Sequence, residues 1–409
     1  MGESSSKTIS IAAALPLTSG GMVSVNGYMW FSATCFNGLC RLDPQTGETV
    51  LIGCFPDEEW DAVYLHSQVG YYGNKLVFAP NRSKCVDVYD IDKNQFERIL
   101  LPHSEMEMWS SDAAKTYAMQ QWKHRFVFCG LFLPIVICFD ALSGEINFVQ
   151  NMYERLYGAL YDRKFPLFRK SSCSVRENAY VLCAQSNQIM KINMEDGSYE
   201  LFQTPFRFDT ICYDGEFFWV SIRNELYIVK DFKLNKIISF DEDDNFVLSR
   251  CEGNYIYYIS NQQDEITVVN KNYPYMVTKV PIKLKQDLFW VDDGSIRIFG
   301  GTYKAGQEEI ALLCDKSSTI VFFENGKVRR MISPFLKRGT PELIEMSKEI
   351  LLKWDEFHNV CEKNLRLWLC RVLVCDGNSN LKKDYKACVG DKIYQALIMG
   401  KDNEKEWVI

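Results

Sequence analysis

From Val23 onward the chain alternates apolar and polar positions in short runs, and turn residues break those runs in an order that keeps returning. The stretch "YDGEFFWVSIRNELYIVKD" (213–231) holds the order in compressed form: a turn at "YDGE", the run "FFWVSI", a break at "RNE", and a second run that closes on Asp231. Alternation at a period of two in β-branched and aromatic residues predicts half-buried strands, and the breaks predict hairpins.

The same grammar runs from Asn26-Gly27 to Asp43, from Gly73 to Asp90, from His124 to Asp140, from Glu177 to Asn193, from Gly253 to Asn270, and from Asp293 to Asp315. Gly or Asn at most of the first turns permits the positive φ of a tight hairpin, and the closing Asp or Asn is suited to bond backbone groups two residues on. Copies of roughly 40–50 residues with about four strands each are the mark of a β-propeller. A β-sandwich would explain alternation but not the repetition. The expected fold is all-β: a seven-bladed propeller of four-stranded antiparallel blades over residues 20–333. Its blades are expected near 20–56, 62–102, 114–152, 166–204, 206–241, 245–282 and 285–333.

Segments outside this grammar have expectations of their own. Residues 1–19 contain "TISIAAAL", a candidate strand for closing the ring. The inserts 102–114 and 152–166 fall between blades and carry Trp109, Tyr153 and Tyr157, aromatic residues suited to anchoring a partner. From residue 338 the period changes. Thr340 and Pro341 can start a helix with Leu343, Ile350, Leu351 and Trp354 on one face, and "CVGDKIYQALIM" spaces its apolar residues likewise, so 338–409 is expected to be a small helical appendage.

The blade pattern, particularly "YDGEFFWVSIRNELYIVKD", resembles the superfamily of Kelch-like and galactose-oxidase-like central-domain propellers across residues 20–333. The chain departs from Kelch blades in having double glycines only at Gly20-Gly21 and Gly300-Gly301, and it lacks the Gly-His and Trp-Asp pairs of WD40 blades. It is also similar to propeller proteins of gut Firmicutes whose chains end in a Gly-x-x-Ile-Tyr segment, here "GDKIY". These resemblances imply a propeller and no particular activity.

Composition narrows the chemistry. Hydrophobic residues at 47% and aromatics at 14% exclude a disordered chain. A net charge of -7 and a pI near 5.4, without a Lys/Arg cluster, argue against nucleic acid as partner. No uninterrupted apolar run approaches the roughly 18 residues of a membrane span. The apolar piece Ile9–Leu17 is interrupted by Pro16 and lacks the positive flank of a signal peptide, so a cytoplasmic location is expected. The fifteen cysteines lie mostly in strand-like runs without CxxC spacing and read as structural thiols.

The four histidines, His66, His103, His124 and His358, stand in separate segments, and the acidic clusters at 56–60, 240–245 and 291–294 lack calcium-loop spacing, so no metal or cofactor is expected. What remains is the central funnel, where polar residues ahead of each first turn converge: His66, Gln68, Gln120, Arg169, Ser172, Arg207, Asp209, Ser249, Arg250 and Asp287. Its three arginines suit an anionic or polyhydroxyl ligand. The function expected is a non-catalytic binding or scaffold propeller that recognises a protein partner or a carbohydrate-like ligand at the funnel or rim. The alternative is a hydrolase, lyase or lactonase acting at the channel mouth.

Overall fold

A computed structural model describes residues 17–101, 115–132, 135–149, 165–230, 233–240, 246–260, 265–282, 301–304, 309–313 and 318–336. The chain divides into two compact units. One comprises 17–286 and 294–334; of the other, made of 1–16, 287–293 and 335–409, only Phe335–Leu336 are described, as a two-residue strand. The expected helical appendage, the strand "TISIAAAL", Asp287, Trp109, Tyr153 and Tyr157 all lie outside the described residues.

The larger unit is a seven-bladed propeller, each blade built from four consecutive antiparallel strands. Blade 1 holds β1 (Val23–Val25), β2 (Tyr28–Ser32), β3 (Leu39–Leu42) and β4 (Glu48–Gly53). Blade 2 holds β5 (His66–Tyr72), β6 (Lys75–Pro80), β7 (Cys85–Asp90) and β8 (Gln95–Leu100). Blade 3 follows as β9 (Thr116–Trp122), β10 (Arg125–Gly130), β11 (Val136–Asp140) and β12 (Ile146–Phe148). Blade 4 is β13 (Phe168–Val175), β14 (Asn178–Cys183), β15 (Gln188–Asn193) and β16 (Tyr199–Gln203). Blade 5 is β17 (Thr210–Tyr213), β18 (Phe218–Ile222), β19 (Glu225–Lys230) and β20 (Lys233–Ser239). Blade 6 is β21 (Phe246–Glu252), β22 (Tyr255–Ser260), β23 (Glu265–Asn270) and β24 (Tyr273–Pro281), and blade 7 is β25 (Gly301–Lys304), β26 (Glu309–Leu313), β27 (Ile320–Glu324) and β28 (Lys327–Ile332).

The first strand of each blade neighbours the first strands of the adjoining blades, and β1 lies beside β25, so these seven strands ring the axis and the circle closes. The second and third strands of most blades are almost wholly buried, as in "KLVFAP" and "CVDVYD" of blade 2, because their two faces pack against different neighbouring blades. Closure between the last and first blades is polar as well: the Leu17 amide donates to Ser318 Oγ at 2.9 Å, and the Arg330 guanidinium donates to the Pro44 carbonyl.

The turn grammar takes the expected physical form. Asn26 and Gly27 adopt φ of 52° and 80°. Asp43 accepts from the Gln45 amide at 2.8 Å, Asp90 from the Asp92 amide at 3.1 Å, Asp140 from Leu142 at 2.8 Å, Asn193 from Glu195 at 2.8 Å and Asn270 from Asn272 at 2.9 Å. After Asp90, Asp140, Asn193 and Asn270 the next residue's amide then reaches back to the first hairpin, as where the Ala141 amide donates to the His124 carbonyl at 2.9 Å.

Blade 7 corrects the expectation that its copy closes on Asp315. "EIALL" is its second strand, "IVFFE" its third, and the closing turn falls at Asn325-Gly326, with φ of 52° and 75°. The Asn-Gly pair is the stronger hairpin signal, and it places the copy one strand later.

Blade 4 puts Arg176 at its first turn with φ of 51°, a left-handed conformation that crowds the Cβ of an L-residue. Arg176→Gly is therefore expected to stabilise the protein by about 1 kcal/mol, read as a higher melting temperature in calorimetry. A lower melting temperature would show that the arginine side chain holds the turn by other means.

Candidate functional site

Four of the strands around the axis depart from regular pairing near their first residues. In β5 the register shifts between His66 and Gln68, in β9 it skips Tyr117, in β13 it shifts between Phe168 and Ser172, and in β21 between Phe246 and Leu248. A bulge leaves its extra residues out of the ladder and re-aims their side chains. The bulge of β13 contains Arg169, Lys170 and Ser171, which makes blade 4 the source of the densest polar chemistry near the axis.

His66 does not belong to the funnel. It is sealed between blades 1 and 2 at 3% exposure, where Phe55 and Phe78 pack on its ring with centroids 4.3 and 5.2 Å away. Its Nε2 lies 2.8 Å from Asp87 Oδ2 and its Nδ1 2.9 Å from Ser32 Oγ. An ionised carboxylate only accepts, so Nε2 carries a proton. Asp87 also accepts from Ser83 Oγ at 2.8 Å and from Arg98 Nε at 2.9 Å, and Arg98 reaches Glu58 at 2.7 Å and Asp57 at 3.5 Å. Serine, histidine and aspartate in this order suggest a nucleophilic triad, but Ser32 is 4% exposed and Asp87 fully buried, so no substrate reaches them. The group is a structural brace.

The other candidates largely bond one another. Gln68 Nε2 donates to the Tyr117 carbonyl at 3.3 Å, and Gln120 Nε2 to Ser172 Oγ at 2.8 Å. Arg169 pairs with Asp209 at 2.9 Å, whose second oxygen accepts from the Arg223 amide at 2.7 Å. Burial lowers the Arg169 guanidinium from its ordinary pKa range, opposed by Asp209 and assisted by the positive charge of the exposed Arg207. Ser171, absent from the sequence-based set, bonds both backbone groups of Ile211 at 2.9 and 3.1 Å, and its hydroxyl lies 3.5 Å from that of the buried Ser249. Blades 4 and 6 therefore meet across the front of blade 5.

This mutual bonding leaves two donors over. Arg169 Nε and Arg250 Nε are buried and have no hydrogen-bond acceptor among the described residues. Arg250 is next in the chain to Ser249, and Arg169 is two residues before Ser171, so both guanidiniums spring from backbone beside the contact between blades 4 and 6. Among the described residues no group of three His, Cys, Asp or Glu side chains is placed to hold a metal ion.

No family model matches the chain, and no curated protein matches it. Solved structures do. A catalytically inactive virginiamycin B lyase from Staphylococcus aureus, solved with quinupristin, matches with a TM-score of 0.53 at 13% identity, over 73% of this chain and 92% of that one. The extracellular domain of a hybrid two-component system from B. thetaiotaomicron matches with a TM-score of 0.52 at 12% identity, over 76% of this chain and 38% of that one. The likeness is one of fold. PorZ, a surface component of the type-IX secretion system of Porphyromonas gingivalis, adds a TM-score of 0.52 at 9% identity, over 80% of this chain and 39% of that one. Proteins this different in sequence share an architecture, while chemistry resides in the particular side chains grafted on it.

The His66 brace has a measurable signature. Burial raises the Asp87 carboxyl, but the hydrogen bond and charge of His66, with Arg98 and Ser83, outweigh it and hold the group below the usual carboxylate range. A carboxylate with a depressed folded pKa adds stability above its unfolded value near 4, and that stability is lost as pH falls through the folded value. Asp87→Asn is expected to lower stability by roughly 3 kcal/mol at pH 7, and the gap from the wild type should narrow as melting is followed into acid. A gap that stays constant to pH 2 would contradict this assignment.

Proposed function

We propose that the protein is a binding propeller whose ligand is a small, hydroxyl-bearing anion of the sugar-acid class, held at the central channel by Arg169 and Arg250 with Arg207 nearby. The observation that supports it is the pair of buried Nε donors without acceptors. A buried N–H left unpaired costs on the order of 1–3 kcal/mol, more when the group is charged, and an anionic ligand offsets that cost while neutralising the guanidinium. Planar guanidiniums suit a carboxylate, and the hydroxyls and amides on the same strands suit sugar hydroxyls. The Kelch-like resemblance of the blades fits this reading without specifying it. A protein partner docking at the inserts would rest on Trp109, Tyr153 and Tyr157, outside the described residues, and is not part of the proposal.

The binding reading is favoured over catalysis because the histidine that sequence order assigned to the funnel is sealed in a brace, and Asp209 is engaged by Arg169 and a backbone amide. Titration calorimetry of the full chain with galacturonate, and with galactose as the neutral control, tests it. Binding of galacturonate, with galactose at least tenfold weaker, is expected, and Arg250→Gln or Arg169→Gln should each weaken galacturonate about tenfold or more. Equal affinity for the two sugars, or variants that fold and bind as the wild type does, would overturn the proposal.

A further inference from the structure

Among the described residues, the layer between blades 4 and 5 differs from the layers on either side of it. Among the described residues, blades 3 and 4 are joined by fourteen buried apolar residues, blades 1 and 2 by nine, and blades 5 and 6 by seven. Between blades 4 and 5 only Leu182, Phe208, Ile211 and Val220 are fully buried, and a larger number of apolar side chains around them are only half covered. Tyr180 and Phe218 still touch edge to face at 4.8 Å, so the two sheets face each other without closing. What separates them is a cavity of about 820 Å³ lined by Tyr180, Ile189, Phe218, Val229 and Leu234, with Phe202 and Phe206, 39% and 52% exposed, also on its wall.

The space is half open to solvent, a cleft and not an interior void. It falls within the several hundred to about 1,000 Å³ of small-molecule pockets, which are mostly apolar with a few polar groups that set orientation. Among the described residues one charged side chain lines it: Lys191, whose partner Glu200 at 3.3 Å is itself 62% exposed and free to yield to another anion. An apolar wall with a single cation fits an amphiphile with one negative head and an aliphatic tail.

We infer that the cleft between blades 4 and 5 binds a monomeric aliphatic carboxylate, its tail filling the layer that protein side chains leave open and its head at Lys191. The ligand completes the blade interface as buried residues do elsewhere in the ring. This site is separate from the channel arginines and does not rest on the sugar-acid reading.

The test is calorimetry of the full chain with octanoate, decanoate and dodecanoate below their micelle concentrations, beside decanol. Each added methylene is expected to tighten binding roughly fourfold, since burying one contributes a fixed increment of apolar transfer energy. Lys191→Gln should weaken decanoate several-fold and leave decanol unchanged. Leu234→Trp should narrow the cleft and weaken binding of all four, with a melting temperature no lower than the wild type's. Absence of binding by decanoate, affinity independent of chain length, or a Lys191→Gln variant that loses carboxylate and alcohol alike would each overturn the inference; the first and last need no change in the apolar lining. Galacturonate affinity measured on the same variants should not move.

Discussion

Everything in this molecule depends on ring closure. Each blade is a twisted sheet with two apolar faces, and a sheet of that kind has nowhere to hide both faces except between two others like itself. The buried second and third strands, "KLVFAP" and "CVDVYD" among them, are stable only because blades stand on both sides. The terminal blades therefore cannot be capped by polar faces as in an open solenoid. They meet, with β1 beside β25 and the Leu17 amide on Ser318.

Closure also dictates where chemistry can sit. Seven first strands forced around one axis bring polar side chains from different blades within bonding distance, and most of that polarity is consumed in holding the strands to one another: Gln120 on Ser172, Ser171 on Ile211, Arg169 on Asp209. Among the described residues several buried donors lack an acceptor, Trp30 Nε1, Arg41 Nε, Trp122 Nε1 and Tyr258 Oη with them, and two guanidinium donors belong to strands that ring the axis. Arg169 Nε and Arg250 Nε stand near the Ser171–Ser249 contact between blades 4 and 6. The cleft between blades 4 and 5 is the apolar counterpart, a layer that the ring leaves unfilled where its neighbours are packed.

The blade grammar was legible in the chain because its determinants are local. A positive-φ turn, an alternating strand and an Asx turn each need only a few adjacent residues, and the closing Asp43, Asp90, Asp140, Asn193 and Asn270 all behave as their positions imply. In the seventh copy "DDGS" offers a turn signal one strand early, which the Asn325-Gly326 hairpin overrides. Site residues were legible only in part. Arg169 and Arg250 could be assigned to strands at the axis from their place before a first turn, but bulges are a property of pairing between strands and leave no mark in one strand's sequence. For the same reason His66 looked like a funnel residue: its partners Ser32 and Asp87 lie in two different blades, and only their convergence reveals the brace. Ser171 and its neighbour Ser172 have the same chemistry in the sequence, and the register alone decides which of the two reaches toward blade 6.

The most direct measurement of the central claim is a crystal structure of the full chain grown with galacturonate. The sugar carboxylate is expected within hydrogen-bond distance of the Arg169 and Arg250 guanidiniums, with the Arg169–Asp209 pair retained. A channel in which those donors instead bond protein carbonyls, with the sugar absent or bound elsewhere on the ring, would contradict it.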